Sequence, residues 1–86
     1  MASSIISREE LLTKIRNILA DVVDNDAIEL TEQTIAEDIA DWDSINHVKL
    51  LIGLESDLGF RFDTAETGDA KNVGELIDLI QKRLSR

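Results

Sequence analysis

The chain has 86 residues, 9 Lys plus Arg against 18 Asp plus Glu, one His and no Cys, for a formal charge of −9. That length makes a single domain, 1–86 with a core of about 7–84, too small to enclose a catalytic cavity, and the missing Cys excludes disulfides, thiolate catalysis and zinc-thiolate sites. The acidic balance excludes nucleic acid and anionic membrane, whose binding needs clustered Lys and Arg, and leaves basic protein surfaces as the partners that fit. No apolar run approaches the roughly 20 residues of a spanning helix, and Met1–Ser7 has neither a basic nor an apolar signal region, so a cytoplasmic monomer is expected. Leu, Ile, Val and Phe supply 28 of the 86 residues, enough to exclude disorder.

A first helix is predicted from Ser7, which can cap it, with Glu10 three residues on completing a capping box and Ile6 with Leu11 forming a hydrophobic staple. Leu11, Ile15, Ile18, Leu19 and Val22 share one face, and the helix should end near Ala20 or Asp21. From Asp24 to Asp43 no period holds. A connection of about 20 residues is long for so small a domain, where 4 to 6 is usual, and such loops are functional or ordered by packing. Ile28, Leu30, Ile35 and Ile39 are its candidate apolar anchors, and Thr34 with Glu37 can cap one short turn. Asp24-Asn25-Asp26 faintly resembles a calcium loop, but Ile28 and Glu29 fall where a ligand and a Gly would be needed.

Periodicity returns at Ser44. Ile45, Val48, Leu51, Ile52 and Leu58 mark a face of a second helix over 44–58, closed by Gly59 in the left-handed region with Phe60 packing back. Asp63-Thr64-Ala65-Glu66 predicts a short third helix cut off by Gly68. Asn72 opens the last, whose stripe of Val73, Leu76, Ile77, Ile80 and Leu84 is the cleanest in the chain. Nothing alternates with period two beyond Phe60-Arg61-Phe62. The expected fold class is all-α, a small four-helix bundle of three main helices, one short third helix and a long first loop.

Chemistry concentrates at Asp41-Trp42-Asp43-Ser44-Ile45-Asn46-His47-Val48, where the loop meets the second helix. A Ser hydroxyl there lies beside free backbone amides and the positive end of the helix dipole, which suits a phosphate group. On the tripeptide alone, Asp43 or Ser44 reads as a plain helix cap. His47 has no second ligand for a metal and reads as solvent-facing or partner-facing. Trp42 reads as loop packing or as a partner contact, and Phe60 and Phe62 as core residues.

Asp43-Ser44-Ile45 resembles the Asp-Ser-Leu signature of acyl carrier proteins. The likeness continues through Leu54-Glu55-Ser56-Asp57-Leu58-Gly59-Phe60 and Asn72-Val73-Gly74-Glu75-Leu76, and covers about residues 7 to 84. It implies a carrier and not an enzyme: 4′-phosphopantetheine from coenzyme A attached at Ser44, flanked by Asp43 and Ile45, with acyl groups held on its thiol as thioesters. The partners implied are a phosphopantetheinyl transferase, an acyl-activating ligase or acyltransferase, and synthase enzymes. Partner-docking candidates are Glu37, Asp38, Asp41, Trp42, His47, Lys49, Glu55 and Asp57; Ile45, Val48, Phe62 and Leu76 are candidates for an acyl cleft. Asp41 stands where the family usually has Gly, and Asn46, Lys49 and Ser56 replace acids of the second helix. These departures suggest a dedicated pathway, such as polyketide, modified-lipid, aminoacyl or other secondary-metabolite assembly, over housekeeping fatty-acid synthesis, with an aminoacyl or peptidyl carrier as the close variant. The rival reading from another class is an acidic helical adaptor with no prosthetic group. Between residues 21 and 43 nine acids face no Lys or Arg, so docking is expected to lean on this loop.

Overall fold

The computed structural model describes residues 7–62 and 70–84. These form α1 (Arg8–Val22), a 3₁₀ turn (Ala36–Asp38), α2 (Ser44–Leu58) and α3 (Val73–Leu84), with no strand among the described residues. The short helix expected at 63–66, and Ile6 of the expected staple, lie outside the described residues. α1 packs against both α2 and α3. Its Leu11, Ile15 and Leu19 meet Leu50 and Leu54 of α2 and Val73, Leu76, Ile77 and Ile80 of α3 in one core.

Local chemistry sets the helix ends. Ser7 Oγ accepts the Glu10 amide proton at 3.1 Å and donates to Glu10 Oε1 at 3.3 Å, so the predicted cap forms. α1 runs one to two turn positions past its expected end, to Val22, and stops where Asp24 takes the left-handed conformation (φ 56°), letting the Asn25 amide reach Ala20 O at 2.9 Å. Gly59 (φ 73°) closes α2 as predicted, its amide on Glu55 O at 2.8 Å. Asn72 Oδ1 caps α3 through the Glu75 amide at 2.9 Å. No described helix is long and apolar enough to cross a membrane.

The long loop is fastened by specific bonds more than by scattered apolar anchors. Ile28 is buried and Leu30 and Ile39 pack on the core, but Ile35 is 38% exposed and anchors nothing. The predicted Thr34–Glu37 cap does not form. Thr34 is buried and its hydroxyl accepts the Thr31 amide at 2.8 Å, while Asp38 Oδ2 accepts the Ile35 amide at 3.2 Å and so supports the 3₁₀ turn. Two first-turn amides of α3, Val73 and Gly74, donate to Thr34 O and Glu32 O at 2.9 and 2.8 Å, so the loop backbone completes the hydrogen bonding of a helix terminus. Arg8 joins three elements: Nη2 and Nε grip Glu32 at 2.6 and 3.0 Å, Nη1 reaches Asp78 at 2.6 Å, and Nη2 also donates to Gly74 O at 3.2 Å. The hydrogen-bonded Arg8 guanidinium holds the Glu32 carboxyl below the usual carboxylate range. Arg16 secures the start of the loop by donating to Ile28 O at 3.1 Å and to Asp26 O.

The face of α2 is the main correction to the sequence reading. Of the five residues predicted to mark its buried face, Leu51 is buried and Leu58 packs on the core, whereas Ile45, Val48 and Ile52 are 69%, 48% and 59% exposed, and Leu50 and Leu54 are buried in their place. The buried and exposed sets are both helically spaced, and α1 seats itself against the buried one because Gly53, beside Leu54, admits Ile18.

Candidate functional site

Ser44 is the first residue of α2, exposed to solvent, at the end of a sharp turn. The turn exists because Asp41 adopts φ 69°, a left-handed backbone that costs most L-residues about 1–2 kcal/mol and that Asp tolerates better. The cap is Asp43: its Oδ1 accepts the Asn46 amide at 2.8 Å, and its carbonyl accepts the His47 amide at 2.8 Å. With Asp43 doing the capping, Ser44 Oγ is left without a partner among the described residues. So are the amides of Ser44 and Ile45, which no helical carbonyl can reach.

Side chains from the first turn of α2 reach back to lock this geometry. Asn46 Nδ2 donates to Asp41 O at 2.7 Å, and Trp42 Nε1 donates to His47 Nδ1 at 3.2 Å, with the two rings stacked at 6.0 Å and 27°. Sequence reading placed His47 in solvent or against a partner. It is half-buried on Trp42, and burial pushes its imidazole below the usual histidine range. Trp42 is half-buried loop packing. The Asn46 and His47 contacts were invisible in the sequence, because their spacing of five residues becomes a contact only through the left-handed turn at Asp41.

The other candidates are dispersed. Glu37, Asp38, Asp41 and Lys49 are exposed, Asp38 also holding its own turn. Glu55 Oε2 accepts the Phe62 amide at 2.7 Å and Asp57 pairs with Lys14 at 2.8 Å, so both acids of α2 serve the fold. The four cleft candidates do not converge. Val48 and Phe62 line one groove of about 240 Å³, Leu76 lines a separate cavity of about 190 Å³ with Trp42 and His47, and Ile45 lines neither. Phe60 and Phe62 meet edge to face at 4.7 Å.

No family model matches the sequence. Curated relatives do. An acyl carrier protein of Thermotoga maritima is 31% identical over 78 residues, 91% of this chain and 96% of its own, and one of Lactobacillus acidophilus is 32% identical over 76 residues, 88% and 95%. The solution structure of a holo acyl carrier protein from Geobacter metallireducens superposes with a TM-score of 0.79 at 41% identity, covering 88% of this chain and 87% of that one. A capped turn that exposes one serine at a helix start, on a chain that matches these relatives over nearly their whole length and superposes on a holo acyl carrier protein, leaves one conclusion: the chain belongs to the acyl carrier protein family, whose members are carriers and not enzymes.

Proposed function

We propose that this protein carries acyl groups as thioesters on a 4′-phosphopantetheine arm attached to Ser44. The observation that supports the site is the division of labour at the turn: Asp43 caps α2, which leaves the Ser44 hydroxyl and the first two helical amides open. A phosphodiester on Ser44 fits there, since free amides and the positive helix end stabilise an anion. The arm, when attached, supplies the thiol that forms the thioester. The chain's own part is to hold Ser44 at a fixed, exposed corner and to present a surface to the transferase, ligase or acyltransferase and synthase enzymes that act in turn. The exposed acidic loop residues Glu37, Asp38 and Asp41 and the exposed stripe of α2, which begins one residue after Ser44, are the proposed docking surface.

The test is incubation with coenzyme A and a broad-specificity phosphopantetheinyl transferase, read by intact mass. One phosphopantetheine adduct is expected, and Ser44→Ala should abolish it. An adduct that survives Ser44→Ala, or none on the parent chain, would favour the acidic adaptor with no prosthetic group.

The same surface supports a cytoplasmic carrier for a dedicated pathway over general fatty-acid synthesis. Of the polar residues that replace acids on α2, Lys49 is exposed, while Asn46 is committed to the turn; Glu55 and Asp57 are committed to the fold. Little acidity on α2 is therefore available to enzymes that dock by it. Elongation by housekeeping fatty-acid enzymes as fast as with their own carrier would refute this assignment.

A further inference from the structure

The turn before Ser44 is under strain at Asp41 and is held by two side chains that reach back from α2. One of the two bonds, from Asn46, is indifferent to pH. The other depends on the protonation state of the chain's single His. Because His47 Nδ1 accepts the indole proton of Trp42, the ring must be neutral with its own proton on Nε2. A proton added at Nδ1 removes the lone pair that Trp42 uses and turns the two N–H groups against each other.

We infer that Trp42 and His47 form a positioning pair for Ser44: the neutral His47 ring holds the 41–43 turn in the geometry offered to the transferase, and protonation at Nδ1 releases it. The inference rests on the reading of Ser44 as the attachment residue. Three elements surround the ring. Glu37 of the 3₁₀ turn and Lys71 and Asn72 before α3 line the same cavity of about 190 Å³, and Asp41 and Asp43 lie in the turn itself. Glu37 and Lys71 bring opposite charges to that cavity, and burial favours the neutral ring. The sign follows. A histidine whose folded-state pKa lies below its unfolded value contributes fully above the unfolded value, near 6.5, and its contribution is lost as pH falls through the lower folded value. The pair is therefore closed at neutral pH and opens in acid.

Two variants separate positioning from simple stability. His47→Gln keeps an acceptor oxygen and cannot titrate. Trp42→Phe keeps the ring and removes the donor. Transferase kcat/KM, with coenzyme A and intact-mass detection, is measured from pH 5 to 8 and expressed relative to His47→Gln at each pH, which cancels the enzyme's own pH dependence. The ratio of wild type to His47→Gln is expected to hold a plateau near pH 8 and to fall about 3- to 10-fold from that plateau in acid, the worth of one hydrogen bond. Its midpoint should match the His47 titration and the movement of the Trp42 indole N–H resonance, both read by NMR on the same full chain. Trp42→Phe should be slower by a similar factor at pH 8 with no further change relative to His47→Gln. Adducts that form with a flat ratio, an indole resonance unmoved by the His47 titration, or a Trp42→Phe variant modified at the wild-type rate would each overturn the inference while leaving Ser44 as the attachment residue. Absence of any adduct would overturn both readings.

Discussion

α2 and α3 are both rich in apolar residues and use them differently. α3 buries one stripe, Val73, Leu76, Ile77 and Ile80, and turns polar side chains such as Asp78 outward. α2 divides its apolar residues between a buried face, Leu50, Leu51 and Leu54, and a second face, Ile45, Val48 and Ile52, left in water. The first arrangement is what stability alone selects. The second is not, since exposed apolar side chains contribute little to folding, and a row of them beginning one residue after Ser44 fits the docking surface proposed above.

Truncating one apolar residue in each helix separates the two arrangements. Ile77→Ala, in the fully buried stripe of α3, should cost about 2–5 kcal/mol, whereas Ile52→Ala on the outer face of α2 should stay within about 0.5 kcal/mol. Urea unfolding followed by circular dichroism reads both. Equal losses would show that the outer face of α2 is buried in solution and that the contrast is false.

Gly53 tests the buried side of α2. A Cβ there would lie 2.8 Å from Ile18 Cγ2, and β-branched Ile18 has few rotamers with which to withdraw. Gly53→Ala should therefore destabilise by about 1–3 kcal/mol, against the gain of about 1 kcal/mol that the same change brings in an open helix. A gain in urea midpoint would mean that α1 does not seat closely on α2.

A smaller effect is expected where α3 is tied to the loop. Glu32 is held below its ordinary value of 4.5 by Arg8, so its contribution to stability is present above that value and is lost as pH falls through the lower folded-state value. Arg8→Met should lower stability at neutral pH by less than either core change, because the pair is about one-third exposed and partly screened. The variant should also lose stability less steeply than wild type below pH 4.5. Parallel acid-unfolding curves for the two proteins would remove Arg8 from the account.

How much of this could be read from the sequence follows from how far each determinant acts along the chain. Ser7, Asp43, Gly59 and Asn72 act within four residues, so the three helix starts and the end of α2 were legible. The inner face of α2 was legible only in part, at Leu51 and Leu58. Residues 45, 48 and 52 and residues 50, 51 and 54 are both helically spaced sets, and only the position of α1 decides between them. The loop's real fasteners were equally hidden, since Arg8 meets Glu32 across 24 residues and Asp78 across 70. At the candidate site, the exposed place of Ser44 at the helix start was legible from its local motif, but the Trp42–His47 and Asn46–Asp41 bonds required the turn to be built first.

The smallest effects separate the acidic loop from the acids of α2. Exposed charge pairs are worth about 0.2–1 kcal/mol, so reversing one loop acid should slow loading by a ligase or synthase partner about two- to fivefold at low salt and less at high salt. Glu37→Lys is the cleanest change, because that side chain is exposed and caps nothing. Asp38 supports its turn and Asp41 needs a residue that accepts positive φ, so Asn is the right replacement at both. Glu55→Gln and Asp57→Asn should instead register in stability, through the Phe62 amide and Lys14, with little change in loading rate. If Glu37→Lys leaves loading kinetics untouched while Asp57→Asn slows them without destabilising the fold, the docking charge resides on α2, and the loop is acidic for some other reason.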